Sequence, residues 1–185
     1  MCTRCAGAPS ASTATHQPDK PTTQQPPPIA RRPPRTKLTI GRSDVADFPQ
    51  LGLEGVPVKV DTGAYTSSIH CHHVVQHAAT ASRPARLTFE LLDPEHPQFA
   101  GREMSTTDFE RRSVKSSNGE AEERYVIRTR IRLFGRDFPL ELTLTERGEM
   151  RFPVLLGRRL LKGRFVVDPA LANLSLTQKQ ARGQG

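Results

Sequence analysis

The chain has 185 residues and a formal net charge of +8, a length that allows one domain of ordinary size and a tail. No apolar run approaches the roughly 18 residues that a membrane-spanning helix needs. Aromatic residues make up only 5% of the chain and tryptophan is missing, which argues against a base-stacking surface for nucleic acid. We therefore expect no membrane partner and no nucleic-acid partner, and the arginine-rich runs are typical of a solvated face.

Residues 1–36 differ in composition from the rest of the chain. They hold eight of the 16 prolines and no aromatic residue. Such a segment has too little apolar surface to offset its ordering entropy, so we predict a disordered tail. The first residues lack the apolar core of a secretory signal, and Cys71 is the single cysteine outside the tail, which favours a cytoplasmic location. Cys2 and Cys5 have metal-like spacing but no second pair nearby, and no metal is predicted there.

Residues 37–178 predict an all-β domain, and 179–185 predict a disordered C-terminal end. The turn at 135–137 joins two alternating runs into a long hairpin. The sequence "RRLLKG" at 158–163 suits a brief helix that ends at Gly163. With no long amphipathic helix, the pattern indicates a closed or nearly closed barrel with one short helix. The predicted strands lie at 56–60, 64–75, 85–92, 124–134, 138–145, 153–157, 164–169 and 173–177.

The least regular part of the domain is segment 93–123, which contains Pro94, Pro97 and Gly101. A loop or hairpin tip is predicted near Asn118-Gly119. Two roles stay open for this segment: a solvated connection, which the pattern favours, and a lid over a cleft.

One short turn stands out as a candidate for chemistry. "VKVDTGA" places Asp61 at the end of an apolar strand, followed by Thr62 and Gly63. Gly63 allows a backbone angle that other residues resist, and the Thr62 hydroxyl can fix the loop. The bare pattern is weak evidence, because Asp61 could simply cap the backbone. About 95 residues later, "FPVLLGRRLL" supplies a second apolar strand, Gly157 and a short helix.

Together these two segments resemble the retropepsin-like aspartic proteases. The matching residues are Val60-Asp61-Thr62-Gly63-Ala64 and Leu155-Leu156-Gly157-Arg158. The stretches 41–71, 111–135 and 140–169 resemble one branch of that family, the proteins known as ATP-dependent zinc proteases. The resemblance covers roughly residues 40–170 and implies a closed six-stranded acid-protease barrel.

The resemblance also implies a reaction. Aspartic proteolysis uses two neighbouring carboxylates that share one proton; one activates water and the other protonates the substrate carbonyl. The chain has a single Asp-Thr-Gly, so the second carboxylate is expected from a second copy in a homodimer. Asp61, Thr62 and Gly63 are the predicted catalytic residues of this aspartic-type peptidase. The alternative is a peptide- or protein-binding module on the same fold without turnover.

The sequence departs from the viral members directly after Ala64. Many viral members have an aspartate there, which pairs with the late arginine, whereas this chain has Tyr65. Arg158 then either pairs elsewhere, with Asp168 or Glu149, or contacts a substrate carboxylate. We assign Ala64, Tyr65 and Arg158 to substrate binding. The basic charge and the group's association with glutamate-ligase enzymes favour an acidic, glutamate-rich substrate, cleaved at peptide or isopeptide-like bonds.

The sequence offers possible metal ligands but no nucleotide-binding motif. "HCHH" at 70–73 and His77 are possible ligands, but a strand puts only His70 and His72 on one face, opposite Cys71 and His73. A third ligand would have to come from elsewhere, so no metal is predicted. No GxxxxGK[ST] motif occurs, so no ATP site and no cofactor are predicted.

Overall fold

A computed structural model describes residues 36–115, 121–146 and 151–183. The predicted disordered tail, apart from residue 36, and the predicted loop tip at Asn118-Gly119 lie outside the described residues. In the part of the chain that the structure describes, no helix is long and apolar enough to cross a membrane.

Strands account for most of the described domain, with two α-helices and one short 3-10 helix. The helices are α1 (Arg158–Leu161) and α2 (Leu174–Gly183), and the 3-10 helix is Pro49–Leu51. The strands are β1 (Leu38–Gly41), β2 (Ser43–Phe48), β3 (Leu53–Val60), β4 (Ser67–His77), β5 (Arg86–Leu91), β6 (Glu103–Thr106), β7 (Phe109–Lys115), β8 (Ala121–Leu133), β9 (Arg136–Thr145), β10 (Val154–Leu156) and β11 (Phe165–Asp168).

Six strands form a closed circuit in the order β10, β3, β2, β8, β9, β4 and back to β10. The pairs β3–β10 and β4–β9 are parallel, and the other four are antiparallel. Strands β5 and β6 continue the sheet beyond β4, β7 pairs with β8, and β1 pairs with β11 separately. The predicted all-β fold with a closed six-stranded barrel is therefore confirmed.

Alternating side chains explain why these segments form a barrel. In β8, Ile131 and Leu133 are fully buried while the arginines at 130 and 132 point to solvent, as expected for a half-buried strand. Phe48, Leu142 and Leu156 from three other strands are also fully buried and meet them in one core. Because each strand contributes an apolar row, closing the sheet removes that surface from water.

The register of the parallel β3–β10 pair sets the position of the candidate site. Val60, the last residue of β3, lies beside Leu156, the last residue of β10. In a parallel pair both chains leave the sheet at the same edge. Asp61 and Gly157 therefore follow at the same place, although 96 positions separate them in the sequence.

Two details of the predicted fold are wrong. Segment 173–177 is predicted as a strand, but its residues from Leu174 onward form the start of helix α2, so the domain has more than one short helix. This helix also continues to Gly183, past the predicted disordered boundary at residue 179. Its first amides are capped by a distant side chain: Asp44 accepts hydrogen bonds from the N–H groups of Ser175 (2.9 Å) and Leu176 (3.1 Å). Local alternation could not reveal that contact.

Segment 93–123 is more regular than its sequence indicated. It contains β6, all of β7 and the start of β8. Strand β6 pairs with β5 alone and none of its residues is fully buried, so it has little of the apolar alternation that identifies a strand.

Candidate active site

Asp61 leaves strand β3 and enters a tight loop. Its N–H donates to the carbonyl of Leu156 (3.0 Å), which fixes it beside β10. Its carboxylate Oδ1 accepts hydrogen bonds from the N–H groups of Gly63 (2.8 Å) and Ala64 (3.1 Å). The side chain is half-buried, and Thr62 and Gly63 are exposed. One carboxylate oxygen is thus fixed by the loop's own backbone at the surface of the barrel.

The carbonyl groups of residues 62–65 are all held by the start of helix α1. The Arg158 guanidinium donates through Nη1 to the carbonyls of Thr62 (2.9 Å) and Gly63 (2.8 Å). The backbone N–H of Arg158 donates to the Ala64 carbonyl (2.9 Å), and that of Arg159 donates to the Tyr65 carbonyl (3.0 Å). Four consecutive carbonyls therefore have donors, so this loop has little freedom to change its backbone angles.

These contacts show what Arg158 binds inside the chain. Of its two expected ion-pair partners, Asp168 accepts a hydrogen bond from the N–H of Ala170 instead (2.9 Å), and Glu149 lies outside the described residues. Arg158 makes no ion pair with any residue that the structure describes. It positions the Asp61 loop, a role that a search for charged partners in the sequence missed.

Close backbone packing depends on Gly157. A Cβ atom at this position would lie 2.6 Å from the carbonyl carbon of Thr66 and 2.9 Å from the carbonyl oxygen of Tyr65, so only glycine fits. The Gly157 N–H donates to the hydroxyl of buried Ser67 (3.0 Å). Sequence reasoning missed Ser67; its one signal was a polar residue where an apolar strand begins.

Gly63 has a weaker restriction, which comes from a side chain and not from the backbone. A Cβ atom there would lie 3.1 Å from Oδ1 of Asp61. Tyr65, which replaces the viral aspartate, is 61% exposed. The structure therefore brings the predicted site residues Asp61, Thr62, Gly63, Ala64, Tyr65 and Arg158 into one loop and its support. Their catalytic and substrate-binding roles remain predictions.

An open, basic groove of about 880 Å³ begins at this loop. Arg159 pairs with Glu141 (2.7 Å), while Arg164 donates to the Leu160 carbonyl (2.9 Å). Lys162 makes no ion pair with a described residue. Because no acidic side chain is among its described lining residues, the groove favours anionic ligands. Its lining includes Thr62, Tyr65, Arg158, Arg159, Lys162, Arg164, Phe165 and Val167.

The histidine-rich part of β4 has a different geometry from the one predicted. His73 has a left-handed backbone (φ +53°), and the strand register shifts between His72 and Val75. As a result, His73 joins His72 against Glu90, at 3.1 and 3.4 Å, instead of lying on the opposite face. Cys71 is buried, and burial raises the pKa of its thiol to about 12, which leaves it protonated at neutral pH.

The Asp93 carboxylate contacts ring nitrogens of His70 and His72. Its Oδ2 is 2.7 Å from His70 Nε2, and its Oδ1 is 3.3 Å from His72 Nδ1. The hydrogen bond from His70 holds the pKa of Asp93 below its usual value, although partial desolvation opposes this shift. Two imidazoles and one carboxylate are donors that a divalent transition metal accepts.

Comparisons with known proteins support the retropepsin-like fold. The model of a RimB-like family, described as retropepsin-like aspartic endopeptidase RimB, matches residues 39–178. A protein of Shewanella pealeana named probable alpha-L-glutamate ligase is 36% identical over 140 residues, which cover 72% of this chain and 29% of the relative. A protein of Parasynechococcus marenigrum with the same name is 35% identical over 133 residues, covering 72% of this chain and 28% of the relative. The chain thus spans less than a third of the length of these relatives.

A solved structure has a similar fold. The crystal structure of a Legionella pneumophila protein of unknown function matches with a TM-score of 0.56 and 23% identity. The match covers 76% of this chain and 99% of that protein. At this identity the likeness supports the barrel fold alone.

Proposed function

This chain belongs to the RimB-like family of retropepsin-like aspartic endopeptidases, and we propose that it hydrolyses glutamate-rich peptides with a pair of Asp61 carboxylates. The observation that carries the proposal is the way the Asp61 loop is held. Oδ1 is fixed by two amides, and the loop's four carbonyls are fixed by residues 158 and 159. Among the described residues, Oδ2 accepts no hydrogen bond, so it is the oxygen available to water and to a second carboxylate.

The second carboxylate comes from a second copy of the chain. Thr62 and Gly63 are exposed at the tip of the loop, so two loops can approach across a two-fold axis. Two carboxylates at that distance share a single proton, because both cannot ionise together. The pair then has one base and one acid without any further group.

The reaction follows from that shared proton. The ionised Asp61 takes a proton from water, whose oxygen attacks the peptide carbonyl carbon, while the neutral Asp61 gives its proton to the carbonyl oxygen. The tetrahedral intermediate collapses when the C–N bond breaks and the first aspartic acid protonates the leaving amine. The second carboxylate recovers its proton from the hydroxyl of the intermediate, which returns the dyad to its starting state.

Two observations support an acidic substrate. The groove beside the loop is lined by four basic residues (Arg158, Arg159, Lys162 and Arg164), which suit the carboxylates of glutamate side chains. The two relatives above carry the name of a glutamate ligase, and more than two thirds of each lies outside the region shared with this chain. That combination favours a peptidase that acts on the glutamyl peptides that such a ligase makes.

The test compares two peptides of equal length, oligo-α-glutamate and oligoglutamine, with product masses measured over time. We expect the wild-type chain to cleave the glutamate peptide at least about tenfold faster, because the groove binds its carboxylates. Asp61→Asn is expected to abolish cleavage while the melting temperature and the molar mass in solution stay unchanged. Cleavage by the Asp61→Asn chain would disprove the dyad, and equal rates on both peptides would disprove the preference for acidic substrates.

The oligomeric state tests the dyad separately. Light scattering on an active sample is expected to show a dimer at the concentration of the assay. Full activity of a strictly monomeric sample would contradict a pair of Asp61 residues.

The alternative is a binding module without turnover. The two hydrogen bonds to Asp61 Oδ1 are also those of an ordinary capped turn, which favours it. Tight binding of the glutamate peptide with no product, in wild type and Asp61→Asn alike, would select this alternative.

A further inference from the structure

Among the described residues outside the Asp61 loop, one of two groups of possible metal ligands consists of His70, His72 and Asp93, here called the His-Asp cluster. One donor atom from each lies within 4.8 Å of the other two. The two histidines come from β4, and Asp93 follows β5, the strand beside it. The sequence placed two possible ligands, His70 and His72, on one face of a strand and required a third from elsewhere. In the structure Asp93 supplies that third ligand group.

Backbone contacts hold the cluster together independently of its side chains. The N–H of Leu92 donates to the carbonyl of His70 (3.2 Å), which fixes the residue before Asp93 onto β4. Leu92 (φ +68°) and His73 (φ +53°) both have left-handed backbones, although neither is glycine. Such conformations cost free energy and persist where the surrounding structure requires them, often at ligand sites.

The donor set and its spacing fit a small cation. Around a tetrahedral Zn²⁺, nitrogen and oxygen ligands at about 2.0–2.1 Å are roughly 3.3 Å from one another. The observed separations from the Asp93 oxygens are 3.3 Å to His72 Nδ1 and 2.7 Å to His70 Nε2. The shorter one is a hydrogen-bond distance, so an ion would take the place of a shared proton and widen that separation by about half an ångström.

We propose that the His-Asp cluster binds one divalent transition-metal ion of the Zn²⁺ type through His70 Nε2, His72 Nδ1 and the Asp93 carboxylate. Mixed imidazole and carboxylate donors select zinc and its first-row neighbours over calcium or magnesium, which prefer oxygen alone. Three protein ligands leave one position of a tetrahedral ion for water.

Burial distinguishes this cluster from a second one that shares His72. The side chains of His70, His72 and Asp93 are 1%, 18% and 26% exposed. In the second group, His72 and Glu90 are joined by His73, which is 75% exposed. Exposed ligands lose more side-chain freedom on binding an ion and leave it open to water, so the buried cluster is the better site.

The site would stabilise the segment that follows β5. Asp93 begins a turn in which the N–H of His96 donates to its carbonyl (2.9 Å), and the N–H of Phe99 donates to the carbonyl of His96 (2.9 Å). The Phe99 ring lies 6.4 Å from the His72 ring, measured between centroids. An ion shared by β4 and Asp93 would therefore fasten segment 93–99 to the barrel, without a part in the hydrolysis at Asp61.

The experiment is calorimetric titration of the tag-free full-length chain with ZnCl₂ after treatment with EDTA. The chain carries Cys2→Ser and Cys5→Ser throughout, because tail thiols would bind zinc themselves. We expect one ion per chain with a dissociation constant of about 1 μM or below. At a hundredfold excess over that constant, the melting temperature is expected to rise by about 5 °C.

Matched variants locate the ion. Asp93→Asn and His72→Ala are expected to weaken binding at least about tenfold, since each removes a ligand. His73→Asn removes the imidazole that belongs only to the second cluster, and His77→Ala removes another imidazole from β4; both should bind as the parent does. Melting temperatures in EDTA check that each variant folds. No zinc binding by the parent, or a loss in His73→Asn as large as in Asp93→Asn, would overturn the proposal.

Discussion

Two regions of the domain use an aspartate to hold backbone amides, and they differ in what is left of the carboxylate. Asp44, at the contact between β2 and α2, is 1% exposed. Its two oxygens accept from the N–H groups of Val45 (2.8 Å), Ser175 (2.9 Å) and Leu176 (3.1 Å). Asp61 is half-buried and accepts from two amides, both through Oδ1.

The difference separates a structural carboxylate from one that is available for chemistry. At Asp44 both carboxylate oxygens accept hydrogen bonds from backbone amides and water is excluded. The carboxylate therefore serves to join helix α2 to the barrel. At Asp61 the hydrogen bonds fix the orientation of the group through one oxygen, and the other oxygen accepts no hydrogen bond from a described residue. A general base needs a carboxylate that is held in one orientation and still has an oxygen able to accept a proton.

Replacing each aspartate should therefore affect different properties. Asp44→Ala leaves three amides of the β2–α2 contact without an acceptor, two of them at the start of a helix. We expect the free energy of unfolding in urea to fall by about 3 kcal/mol. Asp61→Asn, which keeps an oxygen for the loop amides, should change it by less than about 0.5 kcal/mol.

Asp168→Ala is the control for the first change. Asp168 also accepts a backbone N–H, from Ala170, but in an exposed turn. We expect this variant to lose less than about 1 kcal/mol, because water replaces the lost acceptor. If Asp168→Ala lost as much unfolding free energy as Asp44→Ala, then neither the burial of Asp44 nor its contacts with residues distant in sequence would explain its larger effect.

Gly157→Ala should damage both stability and activity. The new methyl group would overlap the Thr66 carbonyl, so the loop or α1 must shift. We expect unfolding to become easier by about 2 kcal/mol and cleavage of the glutamate peptide to be lost. Gly183→Ala, at the end of α2 with nothing within 4 Å of the added atom, serves as the matched control and should change stability by less than about 0.5 kcal/mol.

The two arginines that begin α1 should separate positioning from binding. Arg158→Ala removes the side-chain donor of the Thr62 and Gly63 carbonyls, so we expect kcat to fall about tenfold with little change in melting temperature. Arg159→Ala keeps its backbone bond to the loop and removes one cation from the groove. It should instead raise KM for the glutamate peptide. Equal effects of both variants on kcat would show that the Arg158 side chain does not hold the loop.

Features set by a repeating side-chain pattern could be predicted, whereas contacts between distant residues could not. Alternation along β8 and β9 was enough to predict their hairpin, and motif order placed Asp61 near Gly157. The partners of Arg158 are backbone carbonyls, which no residue type encodes, and so the sequence suggested Asp168 or Glu149 instead. Helix α2 was mistaken for a strand because Leu174 and Leu176 alternate locally.

The same reasoning explains the incomplete prediction at the histidines. Strict alternation along β4 would separate His72 from His73, but the register shift places both against Glu90. Asp93 lies just beyond a strand, in a segment with no periodic pattern. A bulge and an irregular connection are set by the whole sheet, so a sequence pattern alone could not bring these groups together.

The smallest expected effect concerns Asp47, which joins the middle of α2 to β2. Its carboxylate accepts from Lys179 Nζ (2.8 Å) and from the N–H of Gly55 (2.9 Å). Burial alone would raise the pKa of Asp47, but the hydrogen bonds from Lys179 and Gly55, with the charges of Lys179 and Arg132, lower it. A carboxyl with a lowered pKa in the folded state stabilises the fold above its unfolded pKa of about 3.9, and this contribution is lost as the pH falls through the folded value.

Asp47→Asn should accordingly lose about 1 kcal/mol of unfolding free energy at pH 7, and the difference from wild type should shrink as the pH falls below about 4. Urea titrations of both chains at pH 7, 5 and 3 measure it. Because asparagine keeps an oxygen for the Gly55 amide, the variant isolates the charge. Lys179→Met, which removes the other half of the pair, should reproduce the same pH dependence. A difference that stays constant from pH 7 to 3 would show that Asp47 acts through its shape and not its charge, leaving Asp44 to join α2 to the barrel.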